Sequence, residues 1–270
     1  VDPGTWNLDP AAVEAAITER TKGIVAVDMF GYPCELEALM EISQPHCAAL
    51  TEVPAVALGA QYKGRPIGSH GPPSVFGFYP NKQVATGEGG VVVTHDEETW
   101  KLVRSLRNQG RSYEGGGWFN HVRVGFNYRW TDVQAAIGIA QLEKLDRALE
   151  LRSDVAGRYA ELLDGVEWVT LAPADDPDHE RSWFVYVVAL APEIDRARVM
   201  AELRARGVGE AETSPCIHRE THMQEEVGFS EGLCPVAEDI ARRTLALPFF
   251  PQIEPGDQEY VVDSLRSALS

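Results

Sequence analysis

Apolar residues fall into short runs separated by glycine, proline and charged clusters, and the spacing changes from strand-like to helix-like along the chain. Asp9-Pro10 followed by AAVEAAITER reads as an N-cap, a proline at the first helical position and a helix. Residues 23–29, GIVAVDM, are a glycine-bounded apolar run of the kind that forms a buried strand. Residues 35–42 are helical in pattern, residues 48–53, 74–79 and 89–95 read as strands, and residues 97–107 return to helix. Strands alternating with helices predict an α/β domain with a mainly parallel sheet. Thr131-Asp132-Val133-Gln134 is a capping box that opens a long helix running to about residue 163. Its first turns (Val133, Ala136, Ile137, Ile139, Ala140, Leu142) are apolar on nearly every side, which predicts burial in a core or in a subunit interface. Beyond it, residues 182–190 read as a strand, and residues 195–206, 235–243 and 255–269 as helices. The predicted division is a large unit over residues 1–150 and a smaller α/β unit over 151–270.

Composition narrows the function classes. Apolar residues make up 44% and charged residues 24% of the 270, an ordinary globular mixture. A formal net charge of −17 repels a phosphate backbone, so nucleic acid is not expected as a partner. No apolar run is long enough to span a bilayer, so no membrane partner is expected either. The four cysteines (Cys34, Cys47, Cys216, Cys234) are scattered and contain no CxxC, which predicts reduced thiols and a cytoplasmic setting. The first residue is Val, consistent with a fragment, a trimmed product or an alternative start.

The segment richest in chemistry is FGFYPNKQVATGEGG, residues 76–90. A lysine placed directly after a buried strand has its amine desolvated, which lowers its pKa and makes it nucleophilic toward an aldehyde. The glycines that follow let backbone approach a ligand. From spacing alone, Lys82 reads more readily as a surface lysine in a strand-to-loop turn. Cys216, His218 and His222 lack the second cluster that a zinc site requires, and no metal is expected. GxGxxG, P-loop and GxSxG patterns are all absent.

The same segment resembles the DegT/DnrJ/StrS-type aminotransferases, whose pattern here is close to FSFY-x-x-K-x-x-x-x-GEGG. Further matches occur in the family's order: VDPGTWNLDP at the start, DMFGYP, ALGAQYKGRPIGSHG, LRNQGR, GFNYRWTDVQAAIGIAQLEKLD, PCIH, PVAEDIARRTLALPFFP and YVVDSLRSAL. The resemblance implies a fold-type I transferase, in which residues 1–150 are the remainder of the cofactor-binding large domain. It implies pyridoxal 5'-phosphate as cofactor, held by Lys82, which also moves the substrate proton. The implied reaction carries an amino group from glutamate or glutamine to a nucleotide-linked keto sugar. By the same resemblance, Asn127 contacts the cofactor phosphate of a neighbouring subunit, and His218 occupies a sugar-nucleotide position. Asn127 is also readable as a turn residue, and Arg129 equally as a substrate-anion contact or a surface charge. Shared sites and the apolar Thr131 helix imply a homodimer, or a heterodimer with a paralogue.

Three positions depart from the family. Its EDA-x-[QH]-A-x-GA reads Glu52-Val53-Pro54-Ala55-Val56-Ala57-Leu58-Gly59-Ala60 here. The aspartate that pairs with the ring nitrogen falls on Val53, the Gln or His beside the ring on Val56, and the phosphate-binding serine on Gly77. Glu52 stands in for the aspartate only if Pro54 shifts the strand register, because neighbouring strand residues face opposite ways. The family's N-terminal Ser-Gly-Thr phosphate turn and ring-stacking aromatic precede the VD-x-x-T-x-N stretch and are not among these residues. The expectation is therefore an aminotransferase with an impaired cofactor site. The alternative is a non-catalytic partner of a complete paralogue.

Overall fold

The computed structural model describes the whole chain apart from residues 116, 118, 210 and 214. The first unit contains helices α1 (Pro10–Ala16), α2 (Leu36–Ser43), α3 (Glu97–Leu106) and α4 (Asp132–Leu142). Its strands are β1 (Gly23–Val27), β2 (Ala49–Val53), β3 (Gln61–Tyr62), β4 (Arg65–Pro66), β5 (Ser74–Gly77) and β6 (Gly90–Val93). Helix α5 (Leu145–Leu163) leads into the second unit, with β7 (Val169–Leu171), β8 (His179–Glu180), β9 (Tyr186–Leu190), α6 (Arg196–Ala205), β10 (Ala211–Glu212), α7 (Pro235–Arg243), β11 (Thr244–Leu247) and α8 (Pro255–Leu269).

The first sheet has the order β1-β2-β5-β6, with β1, β2 and β5 parallel and β6 antiparallel at the edge. This is the mainly parallel α/β sheet that the alternating pattern predicted. Ile24, Ala26, Leu50 and Phe76 point to one face and form a core with Leu36 and Leu39 of α2, Tyr62, Ile67, Phe78 and Val84. Val25 and Val27 point the other way and are exposed. That alternation fixes which side chains of β2 can reach a ligand on the open face.

The second sheet, β10-β11-β9-β7, is antiparallel throughout. Helices α5, α6 and α8 cover one of its faces through Val155, Tyr159, Val199, Leu203, Val262 and Leu265. Its other face supplies Val187 and Ala189, which pack with Ile240 of α7 and with Trp6 and Phe30 of the first unit. Helix α5 belongs to both cores: Leu145 packs in the first, and residues from Val155 onward pack in the second. A third, small sheet, β4-β3-β8, was not legible in the sequence. It pairs Gln61 with Glu180 and Tyr62 with His179, and so lays residues 181–184 beside the first sheet.

Three elements differ clearly from their sequence reading, one being the strand read over residues 182–190, which begins only at Tyr186. Helix α1 stops at Ala16 instead of reaching residue 20. The Thr21 hydroxyl accepts from the Thr18 N–H, and the Thr21 N–H donates to the Thr18 carbonyl, so a side-chain-closed turn takes over from the helical ladder. The long helix of residues 131–163 is two helices, broken at Glu143-Lys144. Its start carries the predicted capping box, with Thr131 and Gln134 bonding each other reciprocally. It is not core: Gly138 is its one buried residue, and Val133 (71%) and Ile139 (61%) are exposed. Of the two burial settings that its apolar pattern allowed, the chain's own core is therefore excluded.

Candidate active site

Lys82 stands in the loop after β5, its backbone N–H bonded to the Tyr79 carbonyl at 3.0 Å. Its side chain is half-buried, and desolvation lowers its pKa from the ordinary lysine value. The ammonium nitrogen lies 4.9 Å from the centroid of the Phe184 ring. A Cβ added at Gly77 would meet the Lys82 side chain at 3.9 Å and the Ala55 methyl at 3.7 Å. Lys82, Gly77 and Ala55 therefore share one small region on the open face of the first sheet.

The next residue, Gln83, ties this region to the second unit. Its Nε2 donates to the Val56 carbonyl at 2.7 Å and to Ser182 Oγ at 2.9 Å. Ser182 Oγ donates in turn to the Leu58 carbonyl at 2.6 Å, and the Ser182 N–H donates to the Gly31 carbonyl at 3.0 Å. Gly31 has φ +85°, and a Cβ there would collide with the Ser182 carbonyl, so this close approach requires glycine. A clasp stands beside it. His179 Nδ1 lies 2.9 Å from Asp176 Oδ1, and its Nε2 lies 3.2 Å from Glu35 Oε1. The His179 ring also stacks on Tyr32 at 5.1 Å between centroids. Partial burial opposes ionisation of Asp176, yet hydrogen bonds from His179, the Asp178 N–H and Tyr32 bring its carboxyl down to about 2. The clasp thus holds β8 against β3 and keeps Phe184 over Lys82.

The three departures can now be placed. The burial alternation of β2 puts Val53 on the face opposite Glu52. Glu52 is fully buried behind the sheet and accepts from Ser74 Oγ at 2.6 Å and from the Gly68 N–H at 3.1 Å. The register shift that would bring Glu52 round has not occurred: β2 pairs with β1 without a bulge, Val27 opposite Val53. Val56 presents an apolar side chain, and its carbonyl is already taken by Gln83. Gly77 leaves space that a serine side chain would fill at ordinary contact distance.

The other predicted site residues have partners elsewhere. Asn127 is exposed and bridged to Asn108. Arg129 Nη1 donates to Asn108 Oδ1 at 2.9 Å. Trp130 packs on Phe78, with centroids 5.3 Å apart, and anchors this loop to the first core. His218 is buried and lies 2.7 Å from Glu238 Oε1, whose carboxyl also receives the Gly232 and Cys234 N–H groups. Gln83, Ser182 and Phe184 were missed by the sequence reading. Gln83 lay inside the quoted run, whereas Ser182 and Phe184 come a hundred residues later with no local signal.

Measured against pyridoxal phosphate, the residues present fit the aldehyde end and do not fit the ring-nitrogen end. The desolvated lysine amine suits a carbonyl. The face beyond it offers Val53, Ala55 and Val56, none of which can hold a protonated nitrogen, and the hydroxyl that β2 adds to this face belongs to Thr51, two residues before Val53.

A family model described as the DegT/DnrJ/EryC1/StrS aminotransferase family matches residues 1–266. The chain is 34% identical over 270 residues to GDP-perosamine synthase of Caulobacter vibrioides, covering 99% of this chain and 71% of that protein. It is 34% identical over 262 residues to dTDP-3-amino-3,4,6-trideoxy-alpha-D-glucose transaminase of Streptomyces venezuelae, covering 96% and 67%. Among solved structures, S. venezuelae DesV in complex with a ketimine intermediate superimposes with a TM-score of 0.90 at 34% identity, covering 98% of this chain and 70% of that one.

Proposed function

Because the chain belongs to the DegT/DnrJ/EryC1/StrS aminotransferase family, we propose that it serves amino-sugar biosynthesis as a pyridoxal-phosphate transaminase with a weakened cofactor site. Its substrates on this reading are a nucleotide-linked keto sugar and an amino donor, glutamate or glutamine. The similarity to enzymes named for GDP- and dTDP-linked sugars supports the substrate class. The observation that carries the reading is the Lys82 amine, desolvated, beside Gly77 and under Phe184. What this chain's residues do at the site is limited and definite. Lys82 holds the carbonyl group, Phe184 excludes water from the amine, and Gln83 and Ser182 fix the wall behind Val56. Incubation with pyridoxal phosphate, borohydride reduction and peptide mapping should place the label on Lys82. A label on another lysine contradicts the assignment.

The reading also requires a second subunit. Val133, Ile137, Ile139 and Leu142 of α4, and Phe126 and Tyr128 of the loop that carries Asn127, are all exposed. Large apolar side chains exposed this densely along one segment support an interaction surface. We place the partner subunit there, with Asn127 facing its site. Light scattering at micromolar concentration should give a dimer mass, and a monodisperse monomer counts against the assembly. The apolar Val53 and Val56 also support a second reading, a non-catalytic subunit that lends Asn127 to a complete paralogue. On that reading, mixing with the paralogue raises the paralogue's activity, and repairing Val53 and Gly77 changes little.

A further inference from the structure

We propose that Trp130 is a positioning residue for Lys82: its indole braces, from the core side of the first sheet, the glycine-rich rungs against which the lysine side chain rests. The inference rests on the reading of Lys82 as the cofactor lysine and adds the residue that sets where its amine lies. On the open face, Lys82 passes beside Gly77, where an added Cβ would meet its side chain at 3.9 Å. Gly77 pairs with Gly90 across β5 and β6. Next along come Phe78 and Gly89, joined by the Phe78 N–H donating to the Gly89 carbonyl at 2.8 Å. Three of these four residues are glycines, whose backbone is the loosest of any residue, so one side chain is left to stiffen two rungs. That side chain, Phe78, belongs to the first core, and the Trp130 ring packs on it there, tilted by 32°. The same indole lies directly on Gly89, where an added Cβ would collide with its Nε1, Cε2 and Cζ2.

The returning end of the loop is fastened at the same place. The Thr86 N–H donates to the Phe78 carbonyl at 2.9 Å, and the Thr86 hydroxyl donates to the Glu88 carbonyl at 2.8 Å. Gln134 Nε2 of α4 donates to that Glu88 carbonyl at 2.9 Å. Residues 78–89 therefore leave and re-enter the sheet against Trp130, with Lys82 between the two ends. The indole Nε1 is buried without a hydrogen-bond partner, so the ring acts here by packing alone. Without this brace the rungs shift, and the amine is no longer held beside Gly77 and under Phe184. Desolvation is what lowers the Lys82 pKa, so an amine released from this place regains water and its pKa rises. A loss of stability alone acts differently: it reduces the folded fraction and leaves the amine of each folded molecule as it was.

The test is reductive methylation with formaldehyde and cyanoborohydride, followed by peptide mapping, on the unmodified chain, on Trp130→Ala and on the milder Trp130→Leu. It reads each lysine and does not need the cofactor. The quantity compared is the labelling rate of Lys82 at about pH 7.5 divided by its rate at about pH 10, with the exposed Lys22 as internal reference and urea midpoints as the check on folding. The ratio should fall at least about threefold in each folded variant, because the neutral amine is the form that adds to an aldehyde. Lys22 should not change. Trp130→Leu keeps apolar volume on Phe78 and decides the matter if Trp130→Ala does not fold. A ratio unchanged in a folded variant overturns the inference, as does a loss of labelling by the same factor at both pH values. The cofactor reading fails separately: pyridoxal-phosphate trapping on another lysine defeats it, and the formaldehyde ratio still decides whether Trp130 positions Lys82.

Discussion

Asp28→Asn should flatten the pH dependence of stability between about pH 4 and pH 7 and leave the chain more stable than the parent at pH 8. Asp28 is fully buried, and its burial, then the charge of Glu52, push its carboxyl up to about 7. The folded form therefore keeps a proton that the unfolded chain releases near pH 4. With the folded pKa raised, stability is fully present below the unfolded value and is lost as pH rises toward 7. A shift of about three units corresponds to on the order of 4 kcal/mol, a large part of a domain's total stability. Asparagine keeps the shape and the carbonyl oxygen that accepts from Cys34, and it cannot ionise. It also relieves Glu52, which is itself raised by burial. Urea unfolding midpoints of parent and variant across pH 4.5 to 8 provide the check. The gap between them should widen with pH, and parallel curves would contradict this account of the buried pair.

The second large effect is expected from Val53→Asp combined with Gly77→Ser. Val53 is half-buried on the open face, so an aspartate there remains partly hydrated without ligand. Were the cofactor held on Lys82, the aspartate would offer its ring nitrogen a charge-assisted hydrogen bond, worth about 1.5–3 kcal/mol. Felt in the transition state, that is about ten- to a hundredfold in rate. The serine side chain at Gly77 enters open space 3.7–4.0 Å from Ala55 and Lys82, displaces nothing, and adds a hydroxyl for phosphate. Its effect should appear in cofactor affinity, and that of Val53→Asp mainly in turnover. Titrating each single variant with cofactor and measuring its rate separates the two contributions.

Much of this site was legible in the chain itself. The run ending at Lys82 and the glycines after it singled out the lysine through the family resemblance, and the alternation in residues 48–53 set the two faces of β2. Strand period alone said that Glu52 would face away from Val53, and Ser74 and Gly68 show what holds it there. The remainder depended on long-range contacts that carry no local pattern. Ser182 and Phe184 reach Lys82 only because β8 pairs with β3, and strands of two residues are too short to show a period. Helix α4 misled in part for a different reason. Its apolar turns predicted burial, and within this chain they are largely exposed, with Gly138 its one buried residue. His218 carried a family-like position, and its ring nitrogen turned out to face Glu238.

The most direct test is the rate of amino transfer from glutamate to a nucleotide-linked keto sugar, measured on the unmodified chain, on Val53→Asp/Gly77→Ser and on Lys82→Ala. The account predicts slow transfer by the unmodified chain, at least about tenfold faster transfer by the double variant, and none by Lys82→Ala. Brisk transfer by the unmodified chain, undiminished relative to the double variant, would contradict it, as would activity that survives the loss of Lys82.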